Sequence, residues 1–188
     1  MASKVEIMNV ALLQLGDEII MSEDEDTKAA RVMRIFWDQA VLEVLSDHTW
    51  GFARRRATLA TLSTPPVFQW TYAFQLPSDY VRMVCMGEPE DELLWEIEGN
   101  TLLTNETIAQ ILYITKDVTV GQFPPKFCTS LSLLLSWYAA DTLAGLDTAK
   151  KDKVLAAYKT SVTDGETVDS QNQPHNIGVA QSWVNSRF

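Results

Sequence analysis

The apolar positions follow a helical period near the N-terminus. Ser3 and Glu6 have the spacing of a capping box, apolar residues follow at helical intervals, and Gly16 ends the segment. A second apolar stripe at helical spacing covers residues 30–44. This part of the chain therefore predicts two amphipathic helices.

Four consecutive acidic residues, 23–26, precede the second stripe. Carboxylates at the start of a helix favour the positive end of its dipole, so we expect them to stabilise the second helix. The run lacks the alternating ligand positions and the central glycine of a calcium loop. We therefore do not predict a metal site there.

From about residue 52 the pattern changes to short apolar stretches broken by threonine and proline, and Pro65 and Pro66 cannot lie inside a helix. Glu98, Gly99 and Asn100 predict a hairpin turn. The predicted strands are residues 81–86, 93–97, 101–104 and 108–115. We expect the last of these to be half-buried and to pair with the hairpin.

Helical spacing returns after Pro124 and Pro125, in a segment that is apolar on nearly all sides. Such a helix must be covered, and we expect part of its surface to face a neighbouring subunit. A fourth helix is predicted from Asp147 or Thr148, with Gly165 as its end.

The expected fold class is α+β, with four main helices around a small antiparallel β region. The two N-terminal and two C-terminal helices define a helical bundle domain, residues 1–52 and 120–164. An inserted β-rich domain covers 53–119, and 165–188 form an extended C-terminal arm. That last stretch is too polar to fold alone, yet it carries Trp183 and Phe188, which suit anchors on another surface. Alternatively these two side chains pack back on their own domain.

The chain has 188 residues and a formal net charge of −10. Residues 67–117 contain nine acidic and two basic residues, or −7, so the acidity is concentrated in the strand region. This balance disfavours a groove that grips nucleic acid through broad positive charge. No run of about 18 apolar residues occurs and the N-terminus lacks a signal-peptide pattern, so we expect a soluble, cytoplasmic chain.

The sequence offers little catalytic chemistry. No pair of carboxylates stands out, His48 and His175 lie far apart, and no phosphate-binding glycine loop is present. Cys85 and Cys128 favour reduced thiols over a disulfide. We therefore predict no catalytic residue, metal or cofactor. The basic run at residues 54–56 fits either salt bridges or a phosphate site, and the acidic surroundings favour salt bridges.

Four segments, taken together, resemble the head-to-tail adaptor family of short-tailed bacteriophages, often called tail tubular protein A. They are ALLQLG at 11–16, DHTWGFA at 47–53, WTYAFQLPSDYVR at 70–82 and SWVNSR at 182–187. The W-x-Y-x-F-x-L-P-x-D pattern within 70–82 is the most specific of these. The chain departs from the family in having little room for a large insertion in its strand region.

This resemblance implies a non-enzymatic virion protein at the head–tail interface, assembled in the host cytoplasm. Its copies would form a ring, expected to be dodecameric, below the portal protein, with helices toward the portal and strands toward the tail nozzle protein. Genomic DNA would pass through the ring without specific binding, and no membrane is involved. Trp183, Arg187 and Phe188 would dock the arm on the portal.

Two further sets of residues are expected to act in such a ring. The subunit interface would include Phe127, Leu131, Leu134, Trp137 and Tyr138. The channel wall would include Glu88, Glu90, Asp91, Glu92, Glu96 and Glu98, because acidic walls repel phosphates. Alternatively these acids only keep the free subunit soluble. Two other functions stay open, a cell-wall (peptidoglycan) hydrolase of the phage tail and a monomeric interaction module unrelated to phages.

Overall fold

The computed structural model describes residues 2–88, 93–145 and 148–171, with side chains up to residue 165. These ranges contain four α-helices and two three-stranded antiparallel sheets, which confirms the α+β class. The helices are α1 (Lys4–Leu15), α2 (Lys28–Asp47), α3 (Pro125–Ala139) and α4 (Thr148–Gln171). The strands are β1 (Arg54–Thr58), β2 (Tyr72–Gln75), β3 (Tyr80–Met86), β4 (Trp95–Glu98), β5 (Thr101–Thr104) and β6 (Gln110–Thr115).

Helix α1 begins and ends as the sequence predicts. The Ser3 hydroxyl accepts from the Glu6 backbone N–H at 3.2 Å, and the Glu6 carboxylate accepts from the Ser3 N–H at 2.7 Å. Gly16 adopts φ +74° and satisfies the last carbonyls of the helix.

The acidic run at 23–26 has a different role from the one predicted. Helix α2 begins only at Lys28, and the Thr27 side chain caps it, so the four acids precede the first helical turn. Three of the carboxylates pair with basic side chains on α1 and α2 instead, and that of Glu25 accepts from the Met21 N–H at 2.9 Å. The pairs are Lys4–Glu23, Asp24–Arg34 at 3.3 Å and Asp26–Arg31 at 2.8 Å.

The four α-helices form one part of the molecule, here called the helical half. Helix α3 lies at its centre and packs against α1, α2 and α4. Phe127, Leu131 and Leu134 are completely buried among these helices. The prediction that these three residues form a subunit interface is therefore wrong, because the chain itself supplies the cover that the apolar helix needs. Trp137 and Tyr138 are half-buried, and the Tyr138 ring stacks on Phe36 with 5.2 Å between centroids.

The two sheets lie in layers. Sheet A has the order β1-β6-β3, and sheet B has the order β2-β5-β4. One face of β6 presents Ile114 to the helical core, and the other presents Ile111 and Tyr113 to a second core shared with sheet B. Sheet A therefore lies between the helices and sheet B.

The β4–β5 hairpin forms as predicted, with Gly99 at φ +58° in its turn. The predicted pairing of β6 with this hairpin is wrong, because β6 pairs with β1 and β3. Its apolar residues face both ways, so it needs the central position of a covered sheet rather than a place beside a partly exposed hairpin.

Trp50 joins the end of α2 to α3 and α4. Its ring is buried, its Nε1–H donates to the Val44 carbonyl at 2.6 Å, and it meets the Phe127 ring edge-on with 5.1 Å between centroids. On α4, Gly165 faces the same ring: a Cβ atom there would lie 2.7 Å from Trp50 Cη2. The glycine permits this close approach of helix and ring.

The prediction that Gly165 ends the fourth helix is consequently wrong, and α4 continues to Gln171. Residues 165–171 of the expected arm belong to a helix rather than to an extended segment. The rest of that arm, including Trp183, Arg187 and Phe188, lies outside the described residues.

We expect Gly165→Ala to lower the free energy of unfolding by about 1–3 kcal/mol, the usual effect of overpacking. Helix propensity alone would change stability in the opposite direction by about 1 kcal/mol. Urea denaturation followed by tryptophan fluorescence measures the change. Lys159→Ala, at an exposed position of the same helix, should stay within about 0.5 kcal/mol of the wild type. A Gly165→Ala protein as stable as this control would refute the close approach to Trp50.

Candidate interaction surfaces

Asp79 ties the connection between β2 and β3 to sheet A. Its carboxylate accepts from Thr115 Oγ1 at 2.6 Å and from the Tyr113 hydroxyl at 3.2 Å, and it lies 3.4 Å from the Arg55 guanidinium. The Thr115 hydrogen bond, followed by those of the backbone and Tyr113 and by the Arg55 charge, holds the pKa of Asp79 below its ordinary value of 3.8 despite partial burial. The ionised carboxylate thus holds the β2–β3 connection against β1 and β6 through these bonds.

Sheets A and B together are here called the β half. The aromatic side chains of the 70–82 segment pack and bond within it. Phe74 and Leu76 are buried in the second core, and Tyr72 packs at its edge. The Trp70 indole N–H donates to the Glu96 carboxylate on β4 at 3.0 Å. The segment that carries the family resemblance thus fixes sheet B and its attachment to sheet A.

Residues 62–70, here called the outer loop, cross the face of sheet B that points away from sheet A. The Leu62 N–H donates to the Ala73 carbonyl at 2.7 Å at one end of the loop, and the Trp70 side chain holds the other end. At the tip, Val67 is 96% exposed and Phe68 is 78% exposed. Two adjacent large apolar side chains thus face solvent at the loop tip, which makes the tip a candidate contact surface.

The backbone beside this tip is strained. The Trp70 N–H donates to the Phe68 carbonyl at 2.8 Å across Gln69, which has φ +68°. A hydrogen bond across one residue with positive φ closes a γ-turn of the rare form. Strain of this kind costs about 1–3 kcal/mol and clusters at functional sites.

Other large apolar side chains are exposed on both halves of the chain. In the β half these include Leu94, Trp95 and Ile108. In the helical half they are Val10 and Leu13 on α1, Ile19 and Met21 after it, and Ile35 and Leu42 on α2. Exposed apolar surface is thus present on two separate parts of the molecule.

The predicted channel-lining residues separate into two places. Glu96 and Glu98 are exposed on β4, and the strand register puts both on the outer face of sheet B with Ala73 and Leu103. Glu88 is exposed after β3, on the other side of the β half. The structure therefore brings Glu96 and Glu98 together but not Glu88. Glu90, Asp91 and Glu92 lie outside the described residues.

The three arginines of β1, residues 54–56, have different contacts. Arg54 donates to the Thr49 carbonyl at 3.1 Å, and Arg55 pairs with Asp79 and Asp117. The salt-bridge interpretation is therefore confirmed for Arg55. Arg56 lies on the wall of an open pocket of about 270 Å³, here called the Arg56 pocket. Its lining is Arg56, Ala57, Thr58, Cys85, Gly87, Glu88, Gln110, Ile111 and Leu112.

Two acids of α2 bond to tyrosines of the helices packed against it. Glu43 accepts from the Tyr138 hydroxyl, and Asp47 accepts from the Tyr158 hydroxyl at 2.5 Å. Burial, together with these bonds, raises the pKa of Tyr138 to about 12 and also raises that of Tyr158 from its ordinary value. Both phenols therefore stay protonated as donors at neutral pH, and the pairs hold α3 and α4 against α2.

Within the part of the chain that the structure describes, no group of three or more histidine, cysteine or acidic side chains could hold a metal ion. Cys85 and Cys128 are free thiols, on β3 and α3 respectively. Among the described helices, none is both long and apolar enough to cross a membrane.

The sequence pattern does not single out the outer loop: the first predicted strand begins at residue 81, and Pro65 and Pro66 only exclude a helix. The available signal is Val67-Phe68 directly after Pro65-Pro66, which places two large apolar residues where no regular element can bury them.

No model of a known protein family matches the chain, and no curated protein matches it significantly. Functional inference therefore rests on the sequence motifs and the surfaces described above.

We expect Asp79→Asn to lower the free energy of unfolding at pH 7 by about 1–3 kcal/mol, because the amide pairs less well with Thr115, Tyr113 and Arg55. The pKa of Asp79 is lower in the folded chain than its ordinary 3.8, so the ionised group stabilises the fold above that pH. The difference between wild type and variant should then shrink as the pH falls through the lowered pKa.

Urea denaturation between pH 7 and pH 3 tests this dependence. Asp117→Asn removes the other, exposed partner of Arg55 and should change stability by less than about 0.5 kcal/mol. A wild-type advantage that grows in acid would contradict the assigned role of Asp79.

Proposed function

We propose that this chain is a bacteriophage head-to-tail connector, a virion structural protein whose copies form a ring between the portal and the tail nozzle. The observation that carries the proposal is the exposure of large apolar side chains on both the helical half and the β half. A subunit held between two other proteins and its own neighbours needs contact surfaces on several sides.

The resemblance of residues 70–82 to the adaptor family supports the proposal. Trp70, Phe74, Leu76 and Asp79 of that segment each hold a defined position in the β half. The resemblance therefore covers residues that determine how this part of the chain folds. In the proposed ring, the helices face the portal and the strands face the nozzle.

Subunit contacts in the proposed ring differ in part from those expected from the sequence. Phe127, Leu131 and Leu134 are buried within the chain, whereas Trp137 and Tyr138 keep exposed surface for a neighbouring copy. On the helical half, Leu13 and Ile35 are exposed apolar candidates on α1 and α2. A cyclic ring repeats one contact between two different faces until it closes.

The acidic β half fits passage of DNA without binding. Residues 67–117 carry a net charge of −7, and Glu96 and Glu98 are exposed together on one face. Such a surface repels phosphates and keeps non-specific affinity low. In the proposed connector this face contributes to the wall of the DNA channel.

Mixing the full chain with purified portal rings from the same phage tests the connector directly. Light scattering should report a mass gain of many copies of this chain per portal ring, because each portal subunit offers an equivalent site. The chain alone provides the baseline mass. A chain that stays monomeric in the presence of portal rings would contradict the proposal and favour a stand-alone interaction module.

Deletion of the residues after 173 tests the proposed docking arm. We expect the shortened chain to stay folded, because the cut falls beyond α4, and to lose portal binding with Trp183, Arg187 and Phe188. Circular dichroism checks folding, and co-sedimentation with portal rings checks binding. Lys159→Ala in the full chain serves as a control that should bind normally. Portal binding by the shortened chain at wild-type strength would refute the arm.

A further inference from the structure

We propose that the outer loops of neighbouring copies meet around the axis of the proposed ring, where their Val67 and Phe68 side chains pack on one another and narrow the DNA channel. This inference rests on the proposed connector and names the partner of the loop tip, which is the same tip of the next copy. It follows from the position of the loop, its lack of charge and the way its ends are held.

The outer loop lies on the face that the proposed connector turns toward the channel. Glu96 and Glu98 of β4 share the outer face of sheet B with Ala73 and Leu103. The loop crosses this face and encloses a recess against Ala73, Leu103 and Glu98. When the face lines the channel, the loop therefore stands between the wall and the axis. Its tip, with Val67 96% exposed, is then presented to the channel.

The loop belongs to an uncharged part of the chain. Residues 57–78 contain no charged side chain, and no other uncharged run in the sequence is as long. The whole excess of −7 in residues 67–117 lies in residues 79–117, which have nine acidic and two basic residues. The loop is thus an uncharged segment beside an acidic surface.

Lack of charge matters at a symmetry axis. A cyclic ring brings identical side chains of neighbouring copies together there, so a charged group would meet its own charge and be repelled. Apolar side chains at the same place gain by mutual burial. Val67 and Phe68, the latter 78% exposed, therefore suit a contact with their own equivalents, whereas Glu96 and Glu98 suit the wider wall behind them.

The loop is held at both ends before any contact forms. The Leu62 N–H donates to the Ala73 carbonyl, and the Trp70 indole donates to Glu96. Pro65 and Pro66 restrict the backbone between these ends. A preorganised tip loses less conformational freedom on contact than a flexible one.

DNA can pass such a narrowing only when the tips move aside. The recess between the loop and sheet B has a volume of about 350 Å³ and is bordered by Pro66, Phe68 and Leu103, among others. It gives the tip room to move toward the sheet while the hydrogen bonds at the loop ends persist. We expect the tips to hold DNA back at rest and to yield to DNA that is driven through.

Disulfide bonds between equivalent residues test the position of the tip. In a Cys85→Ser, Cys128→Ser background, Val67→Cys or Phe68→Cys gives each chain a single thiol. A disulfide needs Cα atoms about 4.4–6.8 Å apart, and in a ring of twelve copies equivalent atoms at that spacing lie on a circle roughly 17–26 Å across. Only residues near the axis can therefore bond to their own equivalents. Oxidation with diamide on portal rings should give dimers on a non-reducing gel for at least one variant.

The double variant Val67→Cys, Phe68→Cys should give products larger than dimers, because each chain can then bond to both neighbours. Met21→Cys, 86% exposed on the helical half, is the matched control in the same background and should give no dimers. Oxidation without portal rings measures bonds formed by collision in solution. Circular dichroism and the mass gain on portal rings check that each variant folds and assembles. Where the serine background does not fold, the native cysteines stay and mass spectrometry of linked peptides identifies the bond.

Retention of DNA tests the narrowing itself. DNA-filled heads from the same phage, completed with Phe68→Ser, should lose more DNA to added nuclease than heads completed with the wild-type chain. Leu94→Ser, at a 74% exposed position elsewhere in the β half, should protect DNA as the wild type does. Equal protection by Phe68→Ser and the wild type would overturn the narrowing.

The outcomes separate this contact from the connector function. Portal rings that gain many copies without dimers of either tip variant would overturn the contact and leave the connector intact. Bonds from the tip to the nozzle protein, in place of bonds between tips, would assign the loop to the nozzle and overturn the contact as well. Absence of a mass gain on portal rings would refute the connector, and the ring contact with it.

Discussion

The approach of Gly165 to the Trp50 ring is the constraint on which the helical half depends. Trp50 follows the last turn of α2, and its ring touches Phe127 of α3 while its indole bonds back to Val44. Only a residue without a side chain lets α4 lie against that ring. One contact therefore fixes three helices relative to each other.

The same junction positions the β half. Four residues after Trp50 the chain enters β1, whose partner β6 contributes Ile114 to the helical core. Arg82 of β3 donates to the Ser46 carbonyl near the end of α2 at 2.9 Å, which adds a polar tie at the same place. Sheet A thus shares its packing with the helices, and sheet B is held outside it through the second core and Asp79.

The sequence predicts elements well where local chemistry decides them. The capping box at Ser3, the glycine after α1 and the Gly99 hairpin need only neighbouring residues to form, and all three are confirmed. Strand pairing is a non-local property, so the partners of β6 were predicted wrongly. Gly165 was misread because its role depends on a ring 115 positions earlier in the chain.

The candidate surfaces were less accessible to sequence reasoning. Periodicity identifies an apolar helix but does not say which chain covers it, and for Phe127 the cover is internal. The same limit hides the outer loop, since exposure of Val67 and Phe68 depends on how Trp70 attaches to β4. The acidic character of the strand region was evident from composition, whereas the grouping of Glu96 and Glu98 required the register of sheet B.

Helix α4 also sets the direction in which the chain leaves the domain. Six residues separate the Trp50 contact at Gly165 from the last helical residue, Gln171, a length of about 9 Å at 1.5 Å per residue. One residue added or removed in this span would rotate the exit point by roughly 100° around the helix axis. The number of residues between Gly165 and Gln171 therefore determines at which angle around the helix axis α4 ends, relative to the Trp50 contact.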